Sequence, residues 1–316
     1  MSGKLSEVEK RIGTVHQLDA VISAMRGIAA ARVHEAHGRL DGVRAYASVV
    51  GAAIGEALAL PSQTADSDAL DRGEGGHILI VLCAEQGFAG SFSERVLDKA
   101  VQLLKSGSAE LLLVGARGAM IARERNLSFG WSAAMVVHAE EAPSLANRIT
   151  DALYDRLQAG RARRVTAVYA EPGPSGVIEV VERVLLPFDF TRFHVRPTAI
   201  PPIVTLPPEQ LLAELADEYV YAELCEAVML SYAAENEARM QAMIAARRNV
   251  ESKLGELVGT FRTLRQEEIT AQIIELSVGT TSAERPIRRK RTAPGPIFPF
   301  SPKVDDPAFR RKSADQ

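Results

Sequence analysis

The chain has 316 residues, 47% of them hydrophobic, and a formal net charge of −3. That length exceeds the usual single domain, so one or two domains with extra elements are expected, with enough apolar content for a sizeable core. The balanced charge carries no overall nucleic-acid or membrane-surface signature, and aromatics at 5% make any core aliphatic.

Cys83 and Cys225 belong to no C-x-x-C, which reads as a reduced compartment with a single disulfide left open. The charged opening "MSGKLSEVEKRIG" has no secretory apolar core. No apolar run approaches the ~18 residues of a membrane span. The expectation is a soluble, cytoplasmic chain with no direct membrane insertion.

Residues 1–58 read as one long helix. Leu5, Val8, Ile12, Val15, Leu18, Ile22, Met25 and Ala29 recur at threes and fours, and the stripe continues through Val33, Ala36, Leu40, Val43, Ala47, Val50 and Ile54. No proline appears before Pro61. Such a helix spans about 80 Å, and a stripe sustained so long is the pattern of a coiled coil. "GIAAAR" and "VVGAAIGEALA" permit a partner helix to approach closely. Residues 61–76 are a polar Gly- and Asp-rich break. They fail as a calcium loop because Leu70 and Asp71 stand where an acidic ligand and a glycine are needed.

Residues 77–190 alternate strand and helix signals. "HILIVLC" precedes "SERVLDKAVQLLKSG", "AELLLVGA" precedes "RGAMIARERN", and "AAMVVHA" precedes "APSLANRITDALYDRLQAG". "RRVTAVYAEP" and "VIEVVERVLL" follow, as a hairpin through "EPGPSG". Continuous apolar strands alternating with helices predict a small, largely parallel, Rossmann-like α/β domain. After a proline-rich extended stretch, residues 208–283 read as a second very long helix, roughly 110 Å at ~1.5 Å per residue. There Val250, Leu254, Leu257, Phe261 and Leu264 form an a/d seam. The fold class is therefore α/β. An antiparallel coiled coil of the terminal helices would carry the inserted domain, and a basic, proline-rich tail over 284–316 reads as disordered.

Chemical motifs are few. "CAEQGFAGSF" follows a strand and opens a helix, as a phosphate loop does. It lacks G-x-G-x-x-G spacing, no G-x-x-x-x-G-K-[ST] occurs, and Glu85 would repel a phosphate, so a structural turn is favoured. His34 and His37 stand at i, i+3 rather than the i, i+4 of H-E-x-x-H. "GPSGV" is not the G-x-S-x-G elbow. No catalytic constellation, metal site or cofactor is expected. In the last helix, Arg239, Met243 and Arg247 lie on adjacent turns, and Arg265 and Gln266 lie near Thr270. These read either as a solvated helix face or as a polar belt that engages a partner.

The chain resembles the gamma subunit of F-type ATP synthases, the central rotor shaft. "ARMQAMIAARRN" is similar to that family's A-R-M-x-A-M-x-x-A-x-x-N, through Ala238, Arg239, Met240, Ala242, Met243, Ala246 and Asn249. "FRTLRQEEITAQIIELSVGT" resembles its Y-N-x-x-R-Q-x-x-I-T-x-E-I-x-E-I-x-x-G, through Arg265, Gln266, Ile269, Thr270, Ile273, Glu275 and Gly279. The N-terminal match is looser, with Arg11, Ile12, Ala24 and Met25 agreeing. "CAEQGFAGSF" corresponds to D-R-G-L-C-G-G-F-N through Gly87, Gly90 and Phe92, with Gln86, Ala89 and Ser93 in place of Arg, Cys and Asn.

The resemblance implies a noncatalytic shaft inside a ring of alternating alpha and beta subunits. Its foot would sit with the epsilon subunit on the membrane c-ring, peripheral to the cytoplasmic side of the inner membrane. It implies contact with beta loops through Arg239, Arg265, Gln266 and Thr270, with Met25 nearby and the loop of Gly87 and Gly90 beside a beta subunit. The tail beyond residue 283 exceeds the family's usual end. A nucleotide-binding α/β enzyme dimerised by a coiled coil, and a stand-alone coiled-coil scaffold, remain the competing readings.

Overall fold

The computed structural model describes residues 2–60, 76–105, 107–195 and 203–283. The break at 61–75 and the tail from 284 lie outside them. The chain divides into two compact units, Met1–Thr263 and Leu264–Gln316.

The first unit opens on α1, Ser2–Ala57. Its buried side chains include Ile22, Ala29, Ala36, Leu40, Val50 and Ile54, separated by sevens, fours and a ten. That spacing keeps one face inward along a helix of this length. One position departs from the sequence-based stripe. Leu18 is 49% exposed, and the inward place falls to Asp19, which faces Arg247 across a 3.5 Å charge contact.

The inserted domain is a five-stranded sheet of β1 (His77–Leu82), β2 (Ala109–Val114), β3 (Trp131–Ala133), β4 (Arg164–Pro172) and β5 (Ile178–Leu186). The spatial order is β3-β2-β1-β4-β5. The first four strands pair in parallel, and β5 returns antiparallel to β4 as the expected hairpin. Between them run α2 (Phe92–Lys105), α3 (Ala116–Glu124) and α4 (Ala142–Gln158).

Both faces of β1 are covered, which is why its apolar run is unbroken. Ile78, Ile80 and Leu82 pack with α4 and the terminal helices, whereas Leu79 and Val81 pack with α2 and α3. Each such fully buried aliphatic contributes about 1.5–3 kcal/mol relative to exposure.

The third strand is shorter and earlier than "AAMVVHA" predicts. The N–H of Met135 donates to the Glu85 carboxylate at 2.8 Å, and those of Val137 and His138 donate to Glu141 at 2.9 and 3.2 Å. Carboxylates thus hold the donors that a continued ladder on β2 would need, although Met135 and Val136 are still buried.

β5 leads into a strap over 187–195. Phe188, Phe193 and Tyr219 cluster there, with Arg192 over all three rings and 2.7 Å from Glu223. The last helix, α5, runs Pro208–Ala283. Within the first unit it lies antiparallel to α1, because partners descend one helix as they climb the other. Tyr46 bonds Glu218, Arg44 pairs with Glu226 at 2.9 Å, and Asp19 meets Arg247. Ile22, Met243 and Val250 share a small apolar cluster between them.

In the second unit the described residues are the helical stretch 264–283. Ile269, Ile273 and Ile274 are 49%, 61% and 57% exposed.

Candidate partner-contact site

The loop after β1, "CAEQGFAG", leaves the carboxyl edge of the parallel strands, where open α/β sheets hold anionic ligands on a helix N-terminus. Here the anion is internal. Glu85 Oε2 accepts the N–H of Ala116, first residue of α3, at 3.0 Å, and that of Met135 at 2.8 Å. One carboxylate therefore satisfies two backbone donors and complements the helix dipole. Gly115 makes the approach possible. Its φ is +100°, and a Cβ there would collide with the carbonyls of Cys83 and Ala84. The repulsive residue of the sequence reading thus caps the N-terminus of the next helix, α3, from within the chain.

A second set of bonds ties this loop to α5. Glu235 and Arg239, one helical turn apart, form an ion pair in which both side chains are 5% exposed. Glu235 Oε2 accepts the backbone N–H of Glu85 at 3.3 Å. Arg239 donates to Asn236 Oδ1 at 2.8 Å, to the carbonyl of Gly87 at 3.3 Å and to that of Gln86 at 3.4 Å. Burial pushes the Glu235 carboxyl above the usual range, and Arg239 with the N–H groups of Glu85 and Gln86 pulls it back. Burial, with Glu235 adding, pushes the Cys83 thiol up, leaving it an unreactive core residue.

The tip of the loop points outward. Gly87 is exposed, Phe88 is 69% exposed at φ 63°, and Gly90 follows at φ +57°. Ala89 and Phe92 anchor it in the α2 face of the core.

The residues singled out from sequence occupy three places. Gly87, Gly90 and Arg239 belong to this loop assembly, with Arg239 inside it. Met25 is half-buried against Ile22, Met243 and Val250. Arg265, Gln266 and Thr270 are exposed in the second unit, where the Thr270 hydroxyl donates to the Gln266 carbonyl at 2.8 Å. Sequence reasoning did not single out Glu235, Asn236 or Phe88. The i, i+4 carboxylate–guanidinium spacing of Glu235 and Arg239 was the available signal.

The fold is thus a largely parallel α/β sheet inserted in sequence between two antiparallel terminal helices, with an internal carboxylate on the N-terminus of α3. The family model described as ATP synthase matches residues 4–282. The ATP synthase gamma chain of Fuscovulum blasticum is 27% identical over 301 residues, covering 87% of this chain and 98% of its own length. That of Parafrankia sp. (strain EAN1pec) is 29% identical, covering 89% and 98%. The rotor of the Euglena gracilis mitochondrial ATP synthase has a chain with the same fold, at TM-score 0.59 and 13% identity, covering 85% of this chain and all of that one. The chain belongs to the ATP synthase family, as a gamma chain, and is a noncatalytic subunit. Among the described residues, no helix is long and apolar enough to cross a membrane.

Proposed function

We propose that this gamma chain couples rotation of a membrane ion-driven c-ring to ATP synthesis and hydrolysis on beta subunits. Its partners are the alpha and beta subunits of the ring, the epsilon subunit and the c-ring, on the cytoplasmic side of the inner membrane. In free-energy terms it supplies contacts that differ between beta conformers. Carrying a two-state partner from 1:99 to 99:1 requires about 5.5 kcal/mol of such difference. The antiparallel pair of α1 and α5 forms a coiled-coil shaft. Met25, Gly87, Gly90, Arg265, Gln266 and Thr270 belong to its contact surface, and Arg239 acts through the loop it holds.

The observation that carries this reading is the antiparallel packing of α1 on α5 on either side of the inserted sheet in sequence, with Arg44 paired to Glu226 at 2.9 Å and Asp19 to Arg247 at 3.5 Å. The loop after β1 has no phosphate-binding spacing, which counts against the nucleotide-binding enzyme reading. Native co-purification tests the proposal, with recovery of alpha and beta subunits expected. In that complex Gln266→Cys should crosslink to beta. Absence of ring subunits from the pull-down sinks the reading.

A further inference from the structure

Glu223 and Glu226 stand one turn apart on α5, in the face that also buries Val220, Leu224 and Ala227. Their side chains are 6% and 16% exposed. Both are met by cations from other elements. Arg192 of the strap reaches Glu223 at 2.7 Å, and Arg44 of α1 reaches Glu226 at 2.9 Å. Arg183 of β5 stands between them, 3.5 Å from Glu226 and 3.9 Å from Glu223. Two carboxylates thus gather α1, β5 and the strap onto α5.

The strap adds constraints of its own. The Arg192 guanidinium lies over the rings of Phe188, Phe193 and Tyr219 at 5.5, 5.4 and 4.9 Å. On α1, Gly51 and Gly55 form a notch one helical turn long. A Cβ at 51 would press on the Phe193 ring, and one at 55 would overlap the His194 carbonyl. The strap therefore has one seat against both helices.

Stability alone does not account for this choice of residues. Well-packed apolar side chains hold an interface at least as firmly as a buried charge network, because the charges must first give up water. Apolar burial is non-directional, however, and tolerates sliding and rotation. Paired charges penalise every arrangement that separates them, which is the means by which buried polar groups fix register. Here cations from three elements are satisfied by two carboxylates at one height and one angle.

We propose that Glu223 and Glu226 are the registration point of this protein. They fix the height and rotation of the sheet and strap against the α1–α5 pair, so that a twisting load on the sheet reaches both helices without slip. The carrying of load rests on the rotor reading above, whereas the registration does not.

Nitroxide labels on Val49→Cys in α1 and Met120→Cys in α3, both exposed positions, report the distance between helix pair and sheet in the full chain. With the network intact, one narrow distance is expected. An apolar network carries Glu223→Leu, Glu226→Leu, Arg44→Met, Arg183→Met and Arg192→Met together. That chain should melt no lower, yet its single distance should be lost to a broad spread. Glu226→Gln, which keeps the shape while releasing Arg44 and Arg183, should broaden the distance in part. A distance that stays narrow in either variant overturns the inference. A collapse of the apolar variant's melting temperature also overturns it, by making the network an ordinary stability element. In the assembled complex, reconstituted in vesicles, ions pumped per ATP hydrolysed should fall in the apolar variant. Unchanged pumping with a broadened distance overturns the carrying of load and leaves registration standing. Failure of the unmodified chain to recover alpha and beta removes the rotor reading, and the distance measurement still decides the registration.

Discussion

Glu85→Ala probes the internal anion directly. The substitution removes an acceptor that serves two backbone donors, Ala116 N–H at 3.0 Å and Met135 N–H at 2.8 Å. Hydrogen bonds to a charged group contribute roughly 1.5–3 kcal/mol each, and a carboxylate at a helix N-terminus adds ~0.3–1 kcal/mol. The two donors will not lose equally. Ala116 sits at an exposed helix start where water can replace the carboxylate, whereas Met135 is 2% exposed and its amide has little access to water. The expected net loss is about 3 kcal/mol, a large share of the ~5–15 kcal/mol typical of a folded domain. Glu85→Gln, which keeps an acceptor oxygen without the charge, should lose about half as much.

Urea unfolding of the full chain, followed by circular dichroism, reads the midpoint at unchanged slope. Inorganic phosphate supplies a second arm. The vacated amides of Glu85→Ala should bind it weakly and raise the variant's midpoint, while wild type does not respond. A loss below ~0.5 kcal/mol, the size of an ordinary surface change, would refute the assigned role of Glu85.

The buried pair allows a sharper comparison. Arg239→Met strands the Glu235 carboxylate and should cost about 3–5 kcal/mol at neutral pH, while the double variant Glu235→Gln/Arg239→Met recovers most of that. Without Arg239 the Glu235 carboxyl is held still further above its unfolded value. A raised folded carboxyl binds its proton more tightly than the unfolded one, so the single variant's deficit is smallest in acid and grows as pH rises; denaturation at stepped pH checks this. Glu141 has the opposite sign. The N–H groups of Val137 and His138 hold its carboxyl below the usual glutamate range, so its stabilisation is present above the unfolded value and lost as pH falls through the lower folded value. Glu141→Gln should therefore unfold with a weaker acid dependence below the usual glutamate range, measured by acid titration of intrinsic fluorescence.

Much of this fold was legible because its signals are long or two-sided. The unbroken run Ile78–Leu82 announces a strand buried on both faces, and proline-free repeats announce α1 and α5. What escaped depends on partners distant in sequence. "AAMVVHA" has strand composition, yet its donors are claimed by Glu85, fifty residues earlier, and by Glu141 in a following turn. Leu18 fits a stripe of threes and fours as well as Asp19 does, and only Arg247 on α5 makes the charged residue the inward one. Arg239 reads as part of a polar face in a helical projection. Its burial follows from carbonyls some 150 residues away, which no local pattern contains. Phe88 is invisible for another reason, since nothing in the spelling "QGFAG" specifies a left-handed phenylalanine.

The Glu85 carboxylate and amide and the Gln86 and Gly87 carbonyls of this loop are bonded within the chain, and that arrangement suits a subunit that acts through contact. Fixing a residue's backbone costs roughly 1–2 kcal/mol, so ordering six loop residues at each encounter would cost more than the whole difference needed to shift a partner between states. Glu85, Glu235 and Arg239 meet that cost during folding, by satisfying the loop amides and carbonyls from within the chain. A loop ordered in advance also keeps its position as a partner changes conformation. Its contacts can then differ between conformers, and only such a difference biases them. In the proposed rotor the charged network would be the support and the uncharged tip the part that touches, so loosening the support should weaken coupling before it weakens folding.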